Sequence, residues 1–201
     1  MNTYELVKAG KSGPDWNAVE TVELTNRLWL PADGISAWAQ ACYDEQYLYV
    51  RLHSRGEAIL RRYTGENDPV CTDSCLEFFF APNEKADRYF NVEVNPNGAC
   101  YFGFGRLRGD RYRVLRKDLP EVLQIKPFDT EGGWGVEFAV PVHEVQTFCP
   151  DFQLCAGTVL KGNFYKCAED SATPHFMTWN YVAAEKPDFH RPECFGALVC
   201  K

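Results

Sequence analysis

The sequence contains no run of about 20 apolar residues, the length that a membrane-spanning helix needs. Its first eight residues lack the charged and then apolar pattern of an export signal. We therefore expect no membrane association and a cytoplasmic location, or an extracellular one if a signal has been removed. Basic residues are also in deficit, because 21 Lys and Arg stand against 28 Asp and Glu, for a net charge of −7. Nucleic-acid binding relies on clustered basic side chains, so no nucleic-acid partner is expected.

Internal repeats, low-complexity tracts and Pro- or Ser-rich linkers are absent as well, which predicts a single domain over residues 1–201 and leaves the oligomeric state open. The nine cysteines lack paired zinc spacing; Cys71 and Cys75, for example, are separated by three residues rather than two. We expect them to be small buried residues in a reducing compartment. No nucleophile motif, phosphate-binding loop or His-Glu-x-x-His pattern occurs, so neither an enzyme nor a required cofactor is expected.

What the sequence does contain is alternation of apolar and polar residues with a period of two, which predicts β-strands. The clearest strands are predicted at residues 46–51, 74–80, 89–95 and 99–104, with a Pro-Asn-Gly turn at 96–98. Further strands are predicted at 122–128, 135–140, 159–167, 176–179 and 195–199, and short helices or turns at 56–62 and 141–147. Many short strands with little helix indicate an all-β fold, an antiparallel β-sandwich of immunoglobulin-like or DOMON-like type with few short helices.

The polar positions of three strands offer the first functional hypothesis. If the strands near residues 47, 75 and 89 lie in one sheet, their non-core side chains share a face. These side chains are Tyr47, Tyr49, Arg51, Glu77, Phe79, Asn91, Glu93 and Asn95. Sugars need such a mixture, because their hydroxyl groups donate and accept hydrogen bonds while the C–H faces of the ring stack on aromatic side chains. The alternative is a face that simply meets water, although asparagine is poorly suited to strands without a local use.

Tryptophan and basic residues supply further candidates. Trp179 lies in an aromatic and hydrogen-bonding segment, so it is a candidate stacking platform, with a core position as the alternative. Trp134 alternates in phase with Val136 and Phe138 and is predicted to be core. The basic stretch 106–117 is interrupted by two aspartates, and we interpret it as a solvated loop face.

Several sequence blocks resemble carbohydrate-binding modules of family 9 and their stand-alone relatives. The blocks are Asn-Asp-Pro-Val-Cys-Thr-Asp-Ser-Cys-Leu-Glu-Phe-Phe-Phe at 67–80, Tyr-Phe-Asn-Val-Glu-Val-Asn-Pro-Asn-Gly at 89–98, Asn-Phe-Tyr-Lys-Cys at 163–167 and Pro-Asp-Phe-His-Arg-Pro-Glu-Cys-Phe-Gly at 187–196. Shorter matches at 15–16, 43–50 and 134–141 extend the resemblance from about residue 15 to the carboxyl terminus.

The resemblance implies a β-sandwich that binds glucan- or xylan-type mono- or oligosaccharides, often at chain ends, between two tryptophans with polar groups beneath. It assigns a polar contact to Glu77 and a stacking contact to Trp179, and Lys166 of the third block is a further candidate contact. Family relatives often have Trp where this chain has Cys71, which leaves the tryptophan clamp incomplete. Because calcium commonly supports the fold in the family, the resemblance also suggests a structural calcium ion, for which it identifies no ligands.

Three other classes compete with sugar binding. An enzyme could use Glu77 and Glu93 as acid and base across a glycosidic bond. Haem binding would need ligands such as His175 and Met177, but residues two apart on a strand point the same way and cannot bind opposite sides of one haem. A protein-interaction or structural role is the main alternative, because a polar and aromatic face can also dock a protein partner.

Overall fold

The computed structural model describes residues 1–65 and 67–201. Its strands are β1 Thr3–Lys8, β2 Val22–Glu23, β3 Asn26–Arg27, β4 Ser36–Tyr43, β5 Tyr47–Arg55, β6 Cys75–Ala81, β7 Tyr89–Val94, β8 Cys100–Leu107, β9 Asp110–Arg113, β10 Lys126–Thr130, β11 Gly133–Pro141, β12 Val159–Cys167, β13 Phe176–Thr178 and β14 Gly196–Cys200. The α-helices are α1 Leu119–Val122 and α2 Val142–Gln146. Among the described residues, no helix has the length and apolar character that crossing a bilayer requires.

The strands form two layers. The front sheet has the order β1-β14-β12-β6-β7-β8-β9, and β13 pairs with β12 and with β3. The back sheet has the order β10-β11-β5-β4, with β2 and the end of β1 paired to β4. Most pairs are antiparallel, whereas β1 runs parallel to both β14 and β4 and thereby joins the two layers. The predicted all-β sandwich is confirmed.

The core between the layers follows from the alternation in the sequence. Leu48, Val50 and Leu52 of β5 face Leu76, Phe78 and Phe80 of β6 across it, and all six are buried. Trp134 lies in the same core, as predicted. Burying one such side chain contributes about 1.5–3 kcal/mol, so these six side chains together contribute on the order of 10 kcal/mol.

Some elements differ from the sequence predictions. Residues 56–62 form an irregular loop without a helix, and the predicted strand at 122–128 starts as the end of α1 and becomes β10 only at Lys126. The basic stretch expected to be a loop contains strand β9, which pairs with β8. The Arg-Gly-Asp sequence at 108–110 turns the chain between these two strands.

The outer face of the front sheet is also largely buried. A second apolar cluster lies there, where Phe79, Tyr89 and Tyr165 of the strands meet Phe189 and Phe195 of a carboxyl-terminal loop. A second loop, containing the 3-10 turn Val70–Thr72, covers the neighbouring part of the face. The two loops leave between them a pocket over β6 and β7.

Candidate functional site

The pocket floor is a row of side chains placed by strand register. Tyr165 of β12 is paired with Glu77 of β6, Glu77 with Glu93 of β7, and Glu93 with Tyr101 of β8. Directly paired residues in antiparallel strands have Cβ atoms about 4.5–5.5 Å apart, so this row brings two carboxyl groups side by side between two phenol rings. Three predicted site residues, Glu77, Asn91 and Glu93, therefore share one face, as the alternation indicated.

The front pocket consists of an inner recess and an outer groove. The recess has a volume of about 30 Å³ and is lined by Cys71, Glu77, Glu93, Arg108, Glu169, Phe176 and residues 187–190. The groove has a volume of about 440 Å³ and is lined by residues 67–69, Cys71, Asn91, Glu93, Tyr101, Arg108, Arg111, Arg113 and His190. Because Cys71, Glu93, Arg108 and His190 line both parts, the two parts are adjacent.

Burial controls the charge of the two carboxyl groups. Burial is the largest effect on Glu93 and raises its pKa to about 7. The hydrogen bond from Asn91 and the positive charges of Arg111 and Arg108 lower the pKa but do not offset burial. Burial also raises the pKa of Glu77, and the neighbouring Glu93 raises it further. Glu77 is 2% exposed and accepts a hydrogen bond from the Cys167 thiol at 2.9 Å. Glu77 is therefore held protonated on the floor, while Glu93 faces the opening of the pocket.

Arg111 of β9 organises the side of the groove. Its Nη2 donates hydrogen bonds to the Asn91 carbonyl oxygen Oδ1 and to the main-chain oxygen of Tyr89, and its guanidinium lies 4.3 Å from the centre of the Tyr89 ring. The Asn91 Nδ2 in turn donates to Glu93 Oε1 at 2.7 Å. The Nε and Nη1 atoms of Arg111 are buried and form no hydrogen bond of ordinary geometry, while the Tyr101 side chain lies close enough to stabilise the guanidinium charge. The guanidinium is thus held in place beneath the wall of the groove, between Asn91, Tyr89 and Tyr101.

Gly103 of β8 makes room for this network. A Cβ atom on Gly103 would lie 2.7 Å from the Asn91 Oδ1 and 2.7 Å from the Tyr101 ring. A side chain at this position would displace the Asn91 amide that connects Arg111 to Glu93. The glycine therefore permits the close approach of the polar and aromatic parts of the groove.

His190 closes the other side of the pocket as a neutral ring. Its Nδ1 forms a 2.8 Å hydrogen bond with the Tyr89 hydroxyl, and its ring packs 5.0 Å from that of Phe79. Burial lowers the pKa of His190 to about 3, and the positive charges of Arg111 and Arg108 lower it further. His190 thus adds an uncharged, partly aromatic surface near neutral pH.

Tyr49 and Arg51 were expected on this face, but the structure places them on the back sheet. Their strand, β5, pairs with β4 and β11 and has no place in the front sheet. The Tyr49 hydroxyl donates to Asp44 Oδ2 at 2.8 Å, and Arg51 lies 3.2 Å from Glu137. The expectation of a single sheet for the three strands was wrong, because alternation shows which residues share a strand face and not which strands are neighbours.

Lys166 and Asn95 also lie outside the pocket. Lys166 points from β12 into the interior, where its Nζ lies 2.9 Å from Glu57 Oε2. The Asn95 amide donates to Tyr63 O and to Asp73 Oδ2, each at 2.9 Å, and its Oδ1 accepts hydrogen bonds from the chain at 97 and 99. Asn95 thus shapes the turn after β7, and Lys166 stabilises the interior.

Trp179 lies in the main core rather than in the pocket. It is 5% exposed and packs against Tyr4 and Phe164, with ring centres 6.3 and 5.6 Å apart. Trp179 directly follows β13, and its main-chain N–H donates a hydrogen bond to the Phe164 carbonyl oxygen of β12. This hydrogen bond helps to fix the position of the residue. This placement does not match the exposed stacking platform that the sequence suggested.

The pocket residues that sequence analysis missed come mainly from the basic stretch. Arg108, Arg111 and Arg113 line the groove, although we expected this segment to face water. One signal was available, since Arg111 and Arg113 are two residues apart after a Gly-Asp turn and can share a strand face. The contribution of His190 had no local signal, because it depends on how the carboxyl-terminal loop folds back over the sheet.

The donors available for a metal do not suit calcium. Within residues 1–65 and 67–201, one group brings three or more His, Cys, Asp or Glu side chains together, and it consists of Cys75, Glu77 and Cys167. Calcium prefers six to eight oxygen ligands, whereas two of these three donors are sulfur atoms. The calcium ion that the resemblance suggests therefore does not fit this group.

Comparisons with known proteins agree with the fold. A putative carbohydrate-binding protein from Bacteroides uniformis ATCC 8492 superposes with a TM-score of 0.81 at 24% identity, over 100% of this chain and 99% of that one. A family 9 carbohydrate-binding module from Caldicellulosiruptor kristjanssonii, solved with cellotriose, gives a TM-score of 0.69 at 15% identity, over 100% and 94% of the two chains. The same organism's family 9 module with glucose gives 0.65 at 14% identity, over 100% and 96%.

Sequence comparison supplies the family. No curated protein sequence matches the chain. The profile of carbohydrate-binding family 9, in contrast, matches residues 14–200, which include every strand of the sandwich except β1. Since the match covers nearly the whole chain, the protein belongs to carbohydrate-binding family 9.

Proposed function

We propose that the protein binds a glucan- or xylan-type mono- or oligosaccharide in the front pocket, without catalysis. The observation that carries the proposal is the groove itself, in which the Arg111 guanidinium lies close to the carboxyl group of Glu93 and Tyr101 supplies an aromatic wall. Family membership and the structures of family 9 modules of the same fold in complex with cellotriose and with glucose support the ligand class. The groove volume of about 440 Å³ lies in the range of about 300–1,000 Å³ that is usual for ligand pockets.

The pocket offers both kinds of contact that a sugar needs. Arg111 donates hydrogen bonds, and Glu93 accepts or donates according to its protonation, so together they match the vicinal hydroxyl groups of a pyranose. Tyr101, half-buried in the groove, supplies an aromatic surface, and the Arg113 guanidinium lies 5.5 Å from the centre of its ring. Cys71 occupies the wall where the resemblance suggested Trp, so the sugar stacks on Tyr101 rather than between two tryptophans.

The arrangement of the carboxyl groups favours binding over hydrolysis. Glu77 and Glu93 are paired neighbours on the same floor, and Glu77 is buried beneath the opening. A glycoside hydrolase places its two carboxyl groups on opposite sides of the bond that it cleaves. The placement of both groups side by side on the pocket floor supports a binding role for the pair.

Haem binding receives no support from the described residues. Met177 is 1% exposed in the main core, and the His175 Nδ1 donates to Thr173 O at 2.7 Å. Neither side chain lines the front pocket.

A thermal-shift screen against glucose, cellobiose, cellotriose, xylobiose and galactose, with and without EDTA, tests the proposal. We expect glucan-type sugars to raise the melting temperature, because a ligand at 100 times its Kd stabilises the folded state by about 2.7 kcal/mol. We also expect no release of nitrophenol from p-nitrophenyl glycosides. Absence of any shift at millimolar sugar would contradict the proposal and favour a protein partner.

Trp179→Phe separates the core position of this residue from a stacking role. We expect the free energy of unfolding to fall by about 1–3 kcal/mol, because a buried indole is replaced by a smaller ring. Sugar affinity, measured by calorimetry below the melting temperature, should stay within twofold of the wild-type value. If the variant kept its stability but lost sugar binding, the result would show that Trp179 contacts the sugar.

A further inference from the structure

We propose that Cys75, Glu77 and Cys167 form a zinc site beneath the front pocket. Cys75 and Cys167 are directly paired across β6 and β12, and Glu77 lies two residues from Cys75 on the same strand face. The two sulfur atoms and a carboxylate oxygen all lie within 4.8 Å of one another. The strand register itself therefore brings three metal-binding side chains to one point, which the spacing of the cysteines in the sequence did not suggest.

The geometry needs little adjustment to hold the ion. Zinc bonds of about 2.3 Å to sulfur and 2.0–2.2 Å to oxygen in a tetrahedron place the donor atoms about 3.5–3.8 Å apart. The Cys167 Sγ and Glu77 Oε1 atoms are separated by 2.9 Å, so they would move apart by about 0.6–0.8 Å. All three residues are on rigid, paired strands, and side-chain rotation can supply this movement.

The electrostatics of the three groups also favour a cation. Glu77 is buried, and within the described part of the chain no Lys, Arg or His lies within ion-pair distance of its carboxyl group. A zinc ion would supply the positive charge that a buried carboxylate and two buried sulfur ligands need.

The donor set selects the type of metal. Two thiolates and one carboxylate suit zinc, whereas calcium and magnesium prefer oxygen ligands alone. The inner recess of about 30 Å³ is lined by Glu77 and has room for one water molecule, which would supply the fourth ligand. Cys71 lines the same recess, and its main-chain oxygen already accepts a hydrogen bond from the Cys167 thiol at 3.4 Å. Three protein ligands and one position open to the pocket make an open zinc site.

Titration of the reduced, EDTA-treated protein with Co²⁺ tests the site. We expect one Co²⁺ per chain, with near-ultraviolet thiolate-to-cobalt absorption that disappears when Zn²⁺ is added. Cys75→Ser and Cys167→Ser should each weaken Co²⁺ binding at least about 100-fold, since even residues that only support metal ligands cost about 10–100-fold. Cys42→Ser is the matched control, because Cys42 is equally buried but lies on the back sheet, and it should bind as the wild type does.

Glu77→Gln provides a second test of the site in case the serine variants do not fold. This nearly isosteric change should weaken Co²⁺ binding while the circular-dichroism spectrum stays unchanged. The proposal is overturned if the reduced wild-type protein shows no thiolate-to-cobalt absorption, or if the Cys75→Ser and Cys167→Ser variants bind as tightly as Cys42→Ser. Formation of a Cys75–Cys167 disulfide, without Co²⁺ uptake after reduction, would also overturn it. The sugar screen does not depend on this result, because it is run with EDTA as well.

Discussion

Glu57→Gln is expected to lower the free energy of unfolding by about 3–5 kcal/mol, because it leaves the Lys166 ammonium buried without a counter-charge. The Glu57 side chain is 1% exposed and Lys166 is 0% exposed. Glu57 also accepts hydrogen bonds from Ser54 Oγ, Ser74 Oγ and Trp134 Nε1, at 2.6–2.8 Å. This cluster connects β5, β11 and β12 between the two sheets, so its loss affects both layers.

Glu45→Gln provides the control, measured by the same urea unfolding experiment. Glu45 pairs with Lys8, but the two side chains are 66% and 55% exposed. Exposed ion pairs contribute about 0–1 kcal/mol, so this variant should remain close to the wild type. Equal losses of unfolding free energy in the two variants would contradict the larger contribution expected from the buried Glu57–Lys166 pair.

The same carboxylate makes the fold sensitive to acid. Burial alone would raise the pKa of Glu57, but attraction to Lys166 and hydrogen bonds from Ser74, Lys166 and Ser54 outweigh it and hold the pKa at about 2, below the usual 4.5. A lowered pKa in the folded state gives stability that is present above about pH 4.5 and is lost as the pH falls toward 2. The Glu57→Gln variant should lose less stability over this interval than the wild type.

Arg111→Met is expected to weaken sugar binding about 10–150-fold, which corresponds to the loss of a charged hydrogen bond of about 1.5–3 kcal/mol. Methionine keeps much of the packing of the side chain against Tyr89 but removes the guanidinium group that lines the groove. Titration calorimetry with the tightest sugar from the screen measures the effect.

Arg51→Met is the matched control for Arg111→Met. Arg51 is also half-buried, lies 5.3 Å from the centre of the Phe128 ring and pairs with Glu137, but it is on the back sheet. Its replacement should leave sugar affinity within about twofold. If Arg51→Met and not Arg111→Met lost binding, the ligand would bind to the outer face of the back sheet.

Local patterns predicted the strands and their faces better than the neighbours of each strand. Alternation correctly assigned Leu48 and Phe78 to the core, and it placed Glu77 and Glu93 on one face. It failed for Arg51, because strand order depends on contacts between residues that are distant in the sequence. The many short strands with little helix predicted the sandwich, and the resemblance predicted the same architecture.

Some residues of the candidate site could not be predicted from the sequence, for similar reasons. Trp179 was chosen for its local chemistry, but its burial is decided by packing against Tyr4, near the other end of the chain. Arg111 was overlooked because neighbouring charges suggested a solvated loop, whereas pairing of β9 with β8 directs it to the groove. Charge alone does not distinguish a solvated strand edge from the wall of a pocket.

A crystal structure of the protein soaked with the tightest sugar from the screen tests the central claim most directly. We predict a sugar ring over Glu93, with hydroxyl groups within hydrogen-bond distance of the Glu93 carboxyl group and the Arg111 guanidinium, and with one face against Tyr101. Sugar density on the back sheet near Tyr49 and Arg51, or an empty front pocket in a crystal that binds the sugar elsewhere, would contradict the account.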